Sequence, residues 1–199
     1  MVEGYGALIL AGGAGRRLGG REKPARPVGG RPMLLRVLDA LADADPRVVV
    51  GAPALTGAPT DVLTTVEEPP GGGPAAAVVA GLRLVPAHVP VVALVAADLP
   101  LLTGDAVRRL ITTVESIPST NGAIYMDVND RPQWLCGVWR PGALRRRVHE
   151  LGGTLHGTPL RVLLTPLAPV PVTVDTDGLP PFFDCDTDAD LRQAEEWIR

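Results

Sequence analysis

Apolar residues in this chain fall into short unbroken runs separated by stripes at helical spacing. Ala7-Leu8-Ile9-Leu10-Ala11, Val48-Val49-Val50 within Arg47–Gly51, and VPVVALVAA from Val89 to Ala97 are the runs. Such runs mark strands buried on both faces, as in a parallel sheet. Between them, Leu34, Val37, Leu38 and Leu41 follow helical spacing behind Pro32, which suits a first helical turn. Asp61 to Val66 reads as a short strand and Ala75 to Leu84 as a helix of small residues. Val107, Leu110, Ile111 and Val114 give the next helix one apolar stripe behind Thr103, its N-cap.

The second half changes rhythm. Ala123 to Val128 and Gln133 to Trp139 are strands around an Asn129-Asp130-Arg131-Pro132 turn, a β-hairpin. Pro141 to Leu151 is a helix stopped by Gly152-Gly153. A short helix over 158–165, a strand from Val170 to Val174 and a last helix to Arg199 complete the chain. Thr187 with Asp190 is a capping-box pattern for that helix, with Asp in place of Glu or Gln. Strand, helix, strand at the start predicts a right-handed βαβ crossover. The expected fold is one α/β domain over 1–199, in three α/β/α layers, Rossmann-like, with a mostly parallel sheet and one antiparallel hairpin strand.

Candidate chemistry starts where the first strand ends. Gly12, Gly13, Gly15, Gly19 and Gly20 crowd nine positions, with Arg16 and Arg17 among them and Lys23-Pro24 closing the stretch. Glycines let a backbone approach a ligand and turn its N–H groups inward, and the cations add positive charge at the same place. Physically this is a phosphate cradle, with a solvated Gly-rich turn as the plain alternative. It is not a P-loop, because Lys23 lies between Glu22 and Pro24 rather than before Ser or Thr. Nor is it a dinucleotide fingerprint, since Gly19 comes one residue too late after Gly13-Ala14-Gly15 and Asp39 is a poor match for the acidic partner.

Three further segments carry candidate groups. Glu67-Glu68-Pro69-Pro70-Gly71-Gly72-Gly73-Pro74 is a second glycine loop before the Ala-rich helix. Asp98 stands at the carboxyl end of the most hydrophobic run, where open α/β sheets bind ligands, and a carboxylate there suits Mg²⁺. Asp184 and Asp186 precede the final helix, where acids also serve the helix dipole.

Leu10-Ala11-Gly12-Gly13, then Arg16-Arg17-Leu18-Gly19-Gly20, then Lys23, resembles the signature of MobA-like nucleotidyltransferases, the molybdenum cofactor guanylyltransferases and their relatives. The Glu67 to Pro74 loop, Ala97-Asp98-Leu99-Pro100, the Arg131-Pro132-Gln133 segment and Asp184-Cys185-Asp186-Thr187 extend the resemblance over nearly the whole chain. It implies a fold of the nucleotide-diphospho-sugar transferase type and transfer of GMP from GTP to molybdenum–molybdopterin, with Mg²⁺ as cofactor and pyrophosphate released. By the same resemblance, Leu10, Ala11, Gly12, Gly13, Lys23, Glu67 and Asp98 bind the nucleotide. Lys23, Arg16 and Asp98 serve catalysis, and Asp98 holds the metal. Arg131, Gln133, Asp184 and Asp186 face the acceptor, with one of the last two an alternative second metal ligand. Ordinary hairpin polarity explains Arg131 and Gln133 nearly as well.

Four positions depart from the pattern: Glu67 replaces the usual Asp, Gly51 stands where the guanylyltransferases carry Asn, and Asp184 and Asp186 are shared with cytidylyltransferases. CTP therefore stays open as donor, as do other phosphorylated acceptors such as phospholactate or a sugar phosphate. A non-catalytic nucleotide or molybdopterin binder and, more weakly, a Rossmann oxidoreductase are the rival classes.

Composition adds limits. The 199 residues carry a net charge of −3, against a general nucleic-acid surface, and are 46% hydrophobic but only 4% aromatic, which predicts an Ala, Val and Leu core. Arg145-Arg146-Arg147 reads as a solvated helix face. Cys136 and Cys185 form no metal-ligand pattern. His88, His149 and His156 lack Ser or Cys partners and read as surface or structural. No signal peptide or membrane span is expected, and a reducing cytoplasm fits, with transient contacts to other molybdenum cofactor biosynthesis proteins implied by the resemblance.

Overall fold

The apolar runs and stripes become strands and helices in a computed structural model, which describes residues 4–12, 23–51, 57–174 and 178–199. In chain order the elements are β1 (Gly6–Leu10), a 3₁₀ turn (Lys23–Ala25), β2 (Pro27–Val28), β3 (Arg31–Pro32), α1 (Met33–Ala40), β4 (Arg47–Val50) and β5 (Leu63–Thr65). Then come α2 (Pro74–Leu82), β6 (Val92–Ala96), α3 (Gly104–Ser116), β7 (Gly122–Met126), β8 (Pro132–Trp139), α4 (Pro141–Glu150), α5 (Leu160–Leu164), β9 (Val170–Thr173) and α6 (Asp188–Ile198). Among the described residues, no helix is long and apolar enough to cross a membrane.

The main sheet runs β5-β4-β1-β6-β8-β7-β9. Pairs β1–β4, β1–β6, β4–β5 and β7–β9 are parallel, while β8 is antiparallel to both β6 and β7. The expected hairpin therefore forms, and its return strand inserts between β6 and β7 rather than extending the sheet's edge. After β1 the chain builds outward through β4 and β5, then returns to lay β6 on the other side of β1. That reversal puts a crevice over the carboxyl ends of β1 and β6, the place where open α/β sheets bind ligands.

Strand alternation divides the core into two layers. Ala7 and Ile9 of β1 join Leu34, Leu38, Val107, Leu110 and Tyr125 on one face. Leu8 and Leu10 join Val78, Leu94, Trp139, Leu144 and Leu163 on the other. Helix α2 buries every residue from Ala75 to Leu82. Its small residues permit this: a Cβ at Gly81 would lie 2.9 Å from Leu8 Cδ2 and 3.1 Å from Val50 Cγ2. A satellite cluster of Val28, Met33, Cys185, Leu191 and Ala194 joins the β2–β3 hairpin to α6.

Several local expectations shift. Pro32 is the N-cap of α1 rather than its first residue, because it also ends the β2–β3 hairpin. The apolar pattern does not predict that hairpin, although Gly29-Gly30 is a turn signal, and both glycines have positive φ. Helix α2 starts with Pro74 at its first position. Strand β7 stops at Met126 because Asp127 Oδ1 accepts from the N–H groups of Asn129 and Arg131, closing the turn. The arginine triplet is only partly solvated: Arg146 is exposed, but Arg145 donates to the carbonyls of Leu82 and Val85, and Arg147 pairs with Glu150 at 3.0 Å. The three histidines are exposed, as expected.

Candidate active site

Leu10 ends β1 opposite Ala96 at the end of β6, and the Leu10 carbonyl accepts from Ala97 N–H at 3.0 Å. This register sets Asp98 just beyond the buried strand. Its side chain is 19% exposed, so it belongs to the crevice and not to the core. The Asp98 carbonyl accepts from Cys185 N–H at 3.2 Å, which fastens the segment before α6 to the same strand end. Thr187 caps α6 in a full capping box with Asp190, and Asp190 Oδ2 also accepts from Asp186 N–H. The backbone carrying Asp184 and Asp186 is thus held from both ends.

Lys23 reaches this point from the 3₁₀ turn after the glycine-rich stretch. Its ammonium pairs with Asp98 Oδ2 and, at 2.6 Å, with Asp186 Oδ1. Burial alone would lower the Lys23 ammonium, but hydrogen bonds to Asp186 and Asp98 outweigh it and hold its pKa above the usual lysine value. Asp184 has a raised pKa: burial of its carboxyl comes first, and the charges of Asp186 and Asp98 add to it. Next to the pair, Arg26 binds Asp188 at 2.6 Å, a second tie between the hairpin and α6.

A cleft of about 470 Å³ opens here. Its walls include Leu10, Gly12, Pro74, Asp98, Gln133 and Asp184, with Trp134, Leu135, Leu160 and Phe182 as the apolar side. Pro74 begins α2, so the second glycine loop brings a helix N-terminus to the cleft. The carbonyl of Gly72 in that loop accepts from Gly157 N–H at 2.9 Å.

Leu10, Gly12, Asp98, Gln133 and Asp184 thus share one wall system; Lys23 joins it through Asp98, and Asp186 through Lys23. Ala11 continues the same strand, its N–H donating to Val50 O at 2.8 Å. Glu67 is half-buried beyond β5, and Arg131 is exposed at the hairpin turn; among the described residues neither lines the cleft. Gly13 and Arg16 lie outside the described residues. Trp134 and Phe182 are site residues that sequence reasoning missed. The available signal was an aromatic next to Gln133 and another two residues before Asp184.

The donor set is hard oxygen from carboxylates, as Mg²⁺ prefers. Among the described residues, no three His, Cys, Asp or Glu side chains make a complete metal site. Mg²⁺ commonly takes one or two carboxylates and completes its shell from substrate phosphates and water. Both cysteines are buried free thiols, and burial pushes each pKa up to about 12, so neither is a ready nucleophile.

Comparison with known proteins gives the site its context. The family model described as "MobA-like NTP transferase domain" matches residues 7–170. A molybdenum cofactor guanylyltransferase of Bradyrhizobium sp. (strain ORS 278) is 34% identical, over 94% of this chain and 90% of its own. One from Rhodobacter capsulatus is 32% identical, over 96% and 95%. Among solved structures, molybdopterin-guanine dinucleotide biosynthesis protein A from Archaeoglobus fulgidus superposes with a TM-score of 0.73 at 23% identity, covering 98% of each chain. The 2-C-methyl-D-erythritol 4-phosphate cytidylyltransferase of Thermus thermophilus gives 0.72 at 20%, over 98% of this chain and 99% of its own. These two structures share the fold, of the nucleotide-diphospho-sugar transferase type. The chain belongs to the MobA-like NTP transferase family and is a nucleotidyltransferase.

Proposed function

We propose that this enzyme transfers GMP from GTP to the terminal phosphate of molybdenum–molybdopterin. A phosphate oxygen of the acceptor attacks the α-phosphorus in line, the bond to the β-phosphate oxygen breaks, and pyrophosphate leaves. The observation that carries this reading is the meeting of Lys23, Asp98, Asp184 and Asp186 beside Gly12 at the sheet's reversal point. The names of the full-length relatives favour GTP and the molybdenum cofactor over other substrates.

Each residue has a task. Backbone N–H groups of Gly12 and Gly13, with Arg16 and Lys23, hold the triphosphate beyond Leu10 and Ala11, because Ala11 N–H is committed to Val50 O. Asp98, with Asp184 or Asp186, holds Mg²⁺, which when bound neutralises phosphate charge in the transition state. Gln133, Trp134 and Phe182 wall the acceptor's side of the cleft and exclude water from it. Phosphoryl chemistry of this kind depends on positioning and charge neutralisation, so the protein supplies no covalent nucleophile. Glu67 and Arg131 would reach substrate only from outside the cleft wall. The reaction fits a cytoplasmic enzyme that meets other cofactor-assembly proteins transiently.

A thermal-shift panel of GTP, CTP, ATP and UTP with Mg²⁺, followed by a pyrophosphate-release assay with molybdenum–molybdopterin, tests the proposal. GTP should give the largest shift, and release should require the acceptor. A dominant CTP shift would move the donor assignment to CTP. Nucleotide binding without any pyrophosphate release would make the chain a binder and overturn the proposal.

A further inference from the structure

Aromatic residues are scarce in this chain, which has three Trp, two Tyr and two Phe. Tyr5 and Trp139 are buried in the core. Tyr125 and Phe182 meet at 6.0 Å between ring centroids, and Phe183 and Trp197 at 4.9 Å. Among the described residues, Trp134 alone keeps a half-buried ring with no aromatic partner and no hydrogen bond from its indole N–H. That ring lines the cleft that also holds Asp98 and Asp184.

The sheet decides which side of the cleft Trp134 occupies. Strands β1 and β8 flank β6 on opposite sides. Because β8 runs antiparallel to β6, its first residues lie at the carboxyl end of β6. Cys136 pairs with Val95, and the same register continued brings Trp134 level with Ala97 and Gln133 level with Asp98. The cleft therefore runs from Gly12 after β1, across Asp98 after β6, to Trp134 on β8. In-line transfer puts the attacking and leaving oxygens on opposite sides of phosphorus. With the triphosphate held on the Gly12 side, the acceptor enters from the Trp134 side.

We infer that Trp134 is the stacking platform for the flat heterocycle of the acceptor, and so the residue that selects a pterin over a non-aromatic phosphate ester. The inference rests on the molybdopterin acceptor proposed above. An indole offers a large rigid face at the cost of two side-chain torsions, and a planar heterocycle gains from lying on it. Phospholactate or a sugar phosphate has no π face and gains nothing there. Trp134 packs on the Leu8–Leu10 layer and Phe182 on the Ala7–Ile9 layer, so aromatic side chains bound the cleft from both faces of the sheet.

The test is steady-state pyrophosphate release with molybdenum–molybdopterin and GTP, each varied in turn. Trp134→Ala should raise the KM for molybdenum–molybdopterin by roughly 5–150-fold, the range found for stacking a base on an aromatic ring. The KM for GTP and the GTP thermal shift should stay unchanged, which also shows that the variant is folded. Trp134→Phe, which keeps a π face, should stay within a few-fold of the wild type. Trp134→Leu keeps apolar bulk without that face and should match the alanine variant, which it replaces should alanine fail to fold. A wild-type acceptor KM in Trp134→Leu would overturn the platform and leave the proposed reaction standing. A rise in the KM for GTP instead would move Trp134 to the donor and equally overturn it. Wild-type protein that releases no pyrophosphate with molybdenum–molybdopterin would remove the proposed reaction and the platform together.

Discussion

Gly51 and Gly12 meet backbone to backbone at the carboxyl ends of β4 and β1. A Cβ added at Gly51 would lie 2.7 Å from Gly12 Cα and 2.8 Å from Gly12 N, and Gly51 itself sits at φ +91°. Both the conformation and the contact demand glycine. The adjacent hydrogen bonds, Ala11 N–H to Val50 O and Gly51 N–H to Thr65 O at 2.9 Å, leave the backbone little freedom to move aside. Any side chain at 51 would therefore displace Gly12, the first glycine of the proposed phosphate cradle.

Gly51→Ala should cost about 2–4 kcal/mol, combining backbone strain with overpacking. Denaturant unfolding measures this. In the same variant the KM for the nucleotide should rise more than kcat falls, because the cradle is shifted while the acceptor side is intact. An unchanged KM would mean that Gly12 takes no part in binding.

Lys23 should matter for both activity and stability. Lys23→Ala and Asp98→Ala should each lower kcat by about 10²–10³-fold, the usual cost of losing a transition-state charge contact. For stability, the sign follows from the raised Lys23 pKa. The contribution is fully present below the unfolded lysine value of about 10.4 and is lost as pH rises through the folded value. The melting-temperature difference between wild type and Lys23→Met should thus stay constant from about pH 6 to about pH 9 and shrink above about pH 10. A difference that already changes near neutrality would point to another group.

Asp184 has the opposite sign. Its pKa is raised in the folded state, so the folded protein binds that proton more tightly than the unfolded chain. Its charge destabilises the metal-free protein above the folded pKa, and the penalty fades as pH falls toward the unfolded carboxylate value of about 3.9. Asp184→Asn should raise the melting temperature at neutral pH and lose that advantage in acid. Mg²⁺ with GTP should narrow the gap, because a bound cation relieves the same repulsion. Differential scanning fluorimetry across pH gives the answer directly.

The α6 cap offers a purely structural prediction. Thr187→Ala removes the hydroxyl that accepts from Asp190 N–H at 3.2 Å, and should cost about 1 kcal/mol in chemical denaturation. The loosened Asp190 also releases Asp186 N–H, so the partner of Lys23 loses part of its support.

Periodicity and punctuation determined much of this protein before any contact was known. Each buried strand run, the helix stripes, the Thr103 cap and the Thr187–Asp190 box are written in neighbouring residues, because a face or a cap depends on positions a few residues apart. Asp98 was legible for the same reason: a polar residue directly after an apolar run must emerge at a strand end. What the fold alone decided are meetings between distant segments. Lys23 finds Asp186 across 163 positions, Gly51 touches Gly12, and Trp134 and Phe182 come to share one cleft. Those pairings depend on strand order, on the insertion of β8 between β6 and β7, and on the satellite core that seats α6 against the β2–β3 hairpin. No local pattern encodes them, since they arise only when the two layers of helices close on the sheet together.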